Sequence, residues 1–289
     1  LLVYQAPHPD ITAIKQAILT NESYQIDEKQ IDEVSDVNMD YQLVIMHQLP
    51  TATNQSNLLQ KRILDQHIPV FYIVGNKTDL ASFNRLNSGL QINQSRNMFN
   101  DAFVAVNQNF VLFSVSGVLA KTFEKLPPLS VPFGTYKMSN SANVLLYQRI
   151  GQISSEMPLL MFSEIDNNRN GVLCGEGIWR WRTAIYQQTN EHSLFNEFMT
   201  KIAQYLMVSN DRSNFRVTHK QVINENEEVV FNAELYNDAM ERVNDSEVKM
   251  IIKNEEGKSF PFEFSRTSDA YELNAGKFSS GNYYWEAQS

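Results

Sequence analysis

The 289-residue chain has one cysteine, Cys174, so an internal disulfide framework and a zinc cage built from several thiolates are both excluded. No apolar run approaches the ~20 residues needed to span a membrane as a helix, and no signal-peptide pattern stands at the start. Basic residues are in the minority: 24 Lys and Arg against 33 Asp and Glu leave a net charge of −9. They are scattered rather than gathered in a stripe, which speaks against a nucleic-acid partner. Repeats and low-complexity linkers are missing too. The chain does not begin with Met but opens inside an apolar strand, Leu1-Leu2-Val3-Tyr4, as an excised piece of a longer protein would.

What is present divides into two regimes with a boundary near Ser209 to Asn214, giving expected domains at 1–208 and 214–289, as the length also suggests. In the first, short apolar runs alternate with helical patterns. A helix is expected from Asp10 to Thr20 with Ile11, Ile14 and Ile18 on one face, and another from Gln55 to Gln66 carrying Leu58, Leu59 and Ile63. Strands are expected at Leu43 to Met46 and Val70 to Val74. This rhythm implies a mostly parallel sheet with helices on both faces. Runs within 102–113 and 144–165 suggest that the sheet turns partly antiparallel, and helices at 178–187 and 193–207 close the domain. Beyond Asn214 six short strand-like runs separated by turn clusters read as a small immunoglobulin-like β-sandwich. With nothing after Tyr283 to Ala287, the sandwich is expected to lack its last strand and leave an open edge.

The most distinctive stretch is Gly175 to Arg182, Gly-Glu-Gly-Ile-Trp-Arg-Trp-Arg, which follows the apolar run Gly171 to Cys174. Strands that run parallel gather the residues past their carboxyl ends on one edge. That edge would collect His8 and Asp10, His47 and Gln48, Asn76, Lys77 and Asp79, and Glu176, Trp179, Arg180 and Arg182. The arrangement suits a polar or anionic ligand, with Arg able to make bidentate contacts. The competing reading has Trp179 and Trp181 plugging the edge while Arg180 and Arg182 pair with Glu176 and Asp10. On a helix the two Trp face apart, so at most one meets a ligand. His8-Pro9-Asp10 starts like the metal motif of sugar deacetylases, but Ile11 replaces its second Asp, and a turn with an Asp cap is the expected role. Asp166, Asn168, Asn170 and Gly171 match half of a calcium loop, but Gly177 stands where a bidentate Glu is required, and a hairpin turn is expected.

The first 208 residues resemble the class I glutamine amidotransferase-like, flavodoxin-like domains found in large membrane-anchored bacterial proteins. The resemblance rests on Ala6-Pro7-His8-Pro9-Asp10, on Leu43 to Pro50, on Pro69 to Gly75 and on Gly175 to Arg182. It implies a nucleophilic Cys at the elbow after Val74, but Gly75 is followed by Asn76, Lys77 and Thr78, and the only Cys lies inside a later strand. Glutaminase activity is therefore not expected. The resulting expectation is a catalytically silent binding or assembly module, extracytoplasmic or periplasmic, membrane-anchored through parts outside this chain. It would need no cofactor and would bind a polar or anionic ligand or a protein partner. The rival expectation is a hydrolase or transferase using His8, His47, Asp79 and Glu176 at the carboxyl edge.

Overall fold

In the computed structural model the first compact unit, Leu1–Ser209, contains β1 (Leu2–Tyr4), α1 (Pro9–Ile18), β2 (Glu28–Gln30), β3 (Val44–His47), α2 (Asn57–Asp65), β4 (Val70–Ile73), α3 (Leu80–Phe83), β5 (Leu90–Val106), α4 (Gly117–Phe123), β6 (Leu129–Met138), β7 (Asn143–Ile150), β8 (Ile153–Ile165), β9 (Asn168–Leu173), α5 (Trp179–Thr189) and α6 (Ser193–Met207). The residues described are 1–34, 40–53, 56–151, 153–165, 168–207, 215–220, 222–236, 242–255, 257–268 and 270–288. Asp166, and 208–214 where the domain boundary was read, fall outside them.

One nine-stranded sheet organises this unit, in the order β2-β1-β3-β4-β9-β8-β7-β5-β6. The first five strands pair in parallel. The other four pairings are antiparallel. Along β3 the pleat sends Ile45 to one face and Val44 and Met46 to the other, and each side has its own apolar core. One face carries α1, α5 and α6, with Ile11, Ile14 and Ile18 buried as the spacing requires. The other is covered by Leu59 and Ile63 of α2, Phe83 of α3, and Leu90 and Ile92 of β5 itself. Of the three apolar residues read on α2, Leu59 and Ile63 are buried and Leu58 is 67% exposed.

The second unit has only strands among its described residues: β10 (Phe215–His219), β11 (Val230–Tyr236), β12 (Arg242–Val243), β13 (Lys249–Asn254), β14 (Ser259–Glu263), β15 (Ser265–Arg266), β16 (Tyr271–Asn274) and β17 (Tyr283–Gln288). Two antiparallel sheets, β10-β11-β16-β15 with β12 beside β11, and β14-β13-β17, share a core in which Phe231, Ala233 and Leu235 meet Met250 and Ile252. Alternate residues of β11 and β13 face inward, as half-buried strands require.

The expected class, a mostly parallel flavodoxin-like sheet helix-covered on both faces with a small immunoglobulin-like sandwich, is thus corrected to a large mixed sheet plus two smaller antiparallel sheets. The physical reason is the long β5–β6 and β7–β8 pairings, which extend the sheet with antiparallel strands and cover part of one face without helices. Among the described residues no helix is long and apolar enough to cross a membrane.

Candidate functional site

Because β1, β3, β4 and β9 are mutually parallel, the segments that follow them emerge on one edge of the sheet. After β1 the chain turns into α1 through His8, an extended N-cap whose Nδ1 accepts from the Asp10 backbone N–H at 3.2 Å, with Pro9 in the first turn. Asp10 is fully buried. One of its oxygens accepts from the Trp179 N–H at 2.9 Å and the other from the Gly177 N–H at 2.8 Å, so it ties the start of α1 to the start of α5. The second oxygen also lies 3.3 Å from His8 Nδ1 and 3.4 Å from His47 Nε2. The two rings sit 4.8 Å apart, His47 buried behind and His8 with a quarter of its side chain exposed.

Burial alone would push the Asp10 carboxyl up, but the bonds from His47, His8, Gly177 and Trp179 together hold it well below the usual carboxylate range. His8 is raised, first by its hydrogen bond with Asp10, against the opposing cost of burial. The charges of Asp10 and Glu176 add to the rise and Arg180 opposes it, which places Glu176 and Arg180 within electrostatic reach of the exposed imidazole.

Glu176 belongs to a second set of contacts on the same edge. Its Oε2 accepts from Gln48 Nε2 at 2.6 Å and from the Asn76 N–H at 3.0 Å, while Gln48 Oε1 accepts from the Lys77 N–H at 3.1 Å. The loops after β3, β4 and β9 are thereby joined through two side chains. Gln48 adopts a left-handed backbone with φ 54° to make this bridge. Gly75 is what lets the loops approach, since a Cβ there would stand 2.6 Å from Gln48 Cδ. Gly75→Ala is therefore expected to displace Gln48 and Glu176 and to cost about 1–3 kcal/mol as an overpacking change. Urea unfolding checks the stability, and an unchanged midpoint would mean that the bridge relaxes freely.

His8, Asp10, His47, the Asn76 backbone and Glu176 are brought together. Asp79 instead caps α3, accepting from the Ser82 N–H at 3.0 Å. Trp179 is 38% exposed, whereas Trp181 is buried and donates from Nε1 to Pro127 O at 2.8 Å, so the two do face apart. Arg180 donates to Pro128 O at 2.8 Å. Arg182 is partly buried, and burial lowers its affinity for its proton. Cys174 is buried and burial pushes its thiol up, so no thiolate is on offer there. Sequence reasoning missed the backbone donors of Gly177 and Trp179. The signal was the Gly-Glu-Gly flank, because Gly177 with φ +102° holds a conformation that side chains disfavour.

Three candidate ligand atoms, one each from His8, Asp10 and His47, lie within 4.8 Å of one another, a set able to hold a metal ion. No family model matches the sequence, and no curated protein matches it either. Similar solved structures include a β-galactosidase from Bacillus circulans sp. alkalophilus (9% identity, TM-score 0.40, 95% of this chain and 41% of that one). An α-L-fucosidase isoenzyme 2 from Paenibacillus thiaminolyticus is similar at 7% identity and TM-score 0.44, over 99% of this chain and 47% of that one. The exo-β-1,4-mannosidase Op5Man5 from Opitutaceae bacterium strain TAV5 is similar at 9% identity and TM-score 0.41, over 71% and 35%. The chain spans less than half the length of each. The mixed sheet found here, with four of its eight pairings antiparallel, overturns the expected amidotransferase-like, flavodoxin-like resemblance. Each of these named neighbours is a glycosidase, against the expectation of a catalytically silent binding or assembly module.

Proposed function

We propose that the carboxyl edge of the large sheet is the reaction centre of a hydrolase acting on a polar or anionic substrate. The observation that carries the reading is a fully buried carboxylate, Asp10, contacting two imidazoles of which one, His8, reaches solvent on the sheet edge that also holds a second carboxylate, Glu176. His8 Nδ1 is committed inward, which leaves Nε2 to meet a substrate oxygen. Glu176 is held by Gln48 and the Asn76 N–H through one oxygen, and its carboxylate takes the proton from the attacking water. Arg180 and the 38% exposed Trp179 start the helix that follows Glu176, and residues of these types favour a polar, negatively charged or ring-bearing substrate. Asp79 has no part in the reaction, because its carboxylate caps α3.

The test is release of nitrophenol from a panel of nitrophenyl glycosides, esters and phosphates by the wild-type chain and by His8→Ala. Turnover of at least one class, reduced about 10²–10⁴-fold in the variant, is the expected result for loss of an acid–base group. Turnover that survives unchanged in His8→Ala would remove the cluster from the chemistry.

A further inference from the structure

The Asp10 carboxylate is fully buried, and the charged groups within ion-pair distance of it are two imidazoles, with no Lys or Arg among the described contacts. A buried charge needs a compensating cation. His8 Nδ1 stands 3.2 Å from the Asp10 N–H and 3.3 Å from an Asp10 oxygen, and its one lone pair serves a single partner, so binding an ion there means giving up the bond from the Asp10 N–H. Once turned from that N–H, Nδ1 approaches the Asp10 oxygen favourably only across something positive, either a proton on the imidazole or a metal ion.

The spacing suits the metal. In a tetrahedral site with bonds of about 2.0–2.1 Å, neighbouring ligand atoms stand about 3.3–3.4 Å apart. The observed separations from the Asp10 oxygen are 3.3 Å to His8 and 3.4 Å to His47. The third edge, between the two imidazole nitrogens, lies within 4.8 Å, and a swing of the partly exposed His8 ring closes it. The Gly177 N–H already donates to the coordinating oxygen at 2.8 Å and the Trp179 N–H to its partner, an outer layer of bonds that fixes a carboxylate ligand in orientation. His8, with a quarter of its side chain exposed, is the member reached from solvent, so an ion held by the three is approached from that side.

We infer that His8, Asp10 and His47 form a divalent-metal site with two nitrogen ligands and one oxygen ligand, suited to zinc rather than to magnesium or calcium. The inference rests on the hydrolase reading only for the ion's use: a bound ion would activate the water whose proton Glu176 accepts.

The test uses the whole chain, stripped with a chelator and dialysed, then titrated with zinc chloride by calorimetry and with cobalt(II) by visible absorption. One equivalent of zinc is expected, with tetrahedral cobalt bands, no competition from excess magnesium, and affinity lower by about tenfold or more in His8→Ala. His8 is partly exposed, so that variant keeps the test valid even if His47→Asn does not fold. Failure of the stripped protein to take up zinc, or uptake by His8→Ala with unchanged affinity and cobalt spectrum, overturns the site. Zinc uptake without hydrolysis would leave the site standing and sink the hydrolase reading. Hydrolysis by stripped protein that takes up no zinc would do the reverse.

Discussion

Asp10→Ala is expected to lower stability by about 3–5 kcal/mol, the cost of removing one partner from a buried charged cluster. The carboxylate receives the Gly177 and Trp179 N–H groups and contacts both imidazoles. Without it two backbone donors at the start of α5 lose their acceptor in a dry environment, and the buried His47 loses the carboxylate that stands 3.4 Å from its Nε2. For a unit of this size such a loss lowers the melting midpoint by roughly 10 °C. Asp10→Asn keeps an oxygen for at least one of the two donors and is expected to cost less than the alanine variant. Thermal unfolding followed by circular dichroism orders the three proteins. An alanine variant that melts with the wild type would show that the α1–α5 junction does not depend on this side chain.

Trp181→Ala is expected to cost a similar amount, about 3–5 kcal/mol, through a different mechanism, the cavity left by a large buried side chain. Trp181 packs against Phe123 and Phe198 with ring centroids 6.0 and 6.2 Å away, and those two rings are 4.9 Å apart. Its indole N–H also donates to Pro127 O, so the variant leaves a carbonyl without that partner as well as a void. Trp179, two residues away and 38% exposed, is the internal control: its replacement by alanine is expected to cost under about 1 kcal/mol, as surface changes do. Guanidinium unfolding of the two variants separates them. Equal losses would mean that the helix phase of α5 is wrong.

Much of the parallel half of the sheet was legible because its strands are short, apolar and separated by helices with a clear 3.6-residue stripe, as in Ile11, Ile14 and Ile18. The gathering of His8, His47 and Glu176 followed from strand direction alone. The antiparallel half was legible only in part, in the runs within 102–113 and 144–165, because a strand's direction leaves no local mark in its sequence. The first part of β5, Gln91 to Asn100, is too polar to read as a strand until β6 is placed beside it, and β6 itself carries Pro132 and Gly134, which break strand patterns. The expected family failed with it, since its supporting residues were those that many parallel sheets present at their carboxyl ends. Asp79 looked like a site residue by position, yet its neighbours Leu80 to Phe83 form a helical turn that needs a cap. The His8-Pro9-Asp10 turn does open α1, but its cap is His8 and not the expected Asp10, and the turn brings the His8 ring onto Asp10, which spacing along the chain does not reveal.

Glu176→Gln tests the central claim most directly. The amide has the size of the carboxylate and keeps an oxygen for the Gln48 and Asn76 donors, so the edge retains its shape while losing the group that accepts a proton. On whichever nitrophenyl substrate the wild type turns over, kcat/KM is expected to fall by about 10²-fold or more with the melting midpoint within a few degrees of wild type. A variant as active as the wild type, or a wild type that hydrolyses no member of the panel in the presence of zinc, would contradict the assignment of this edge as a hydrolytic centre.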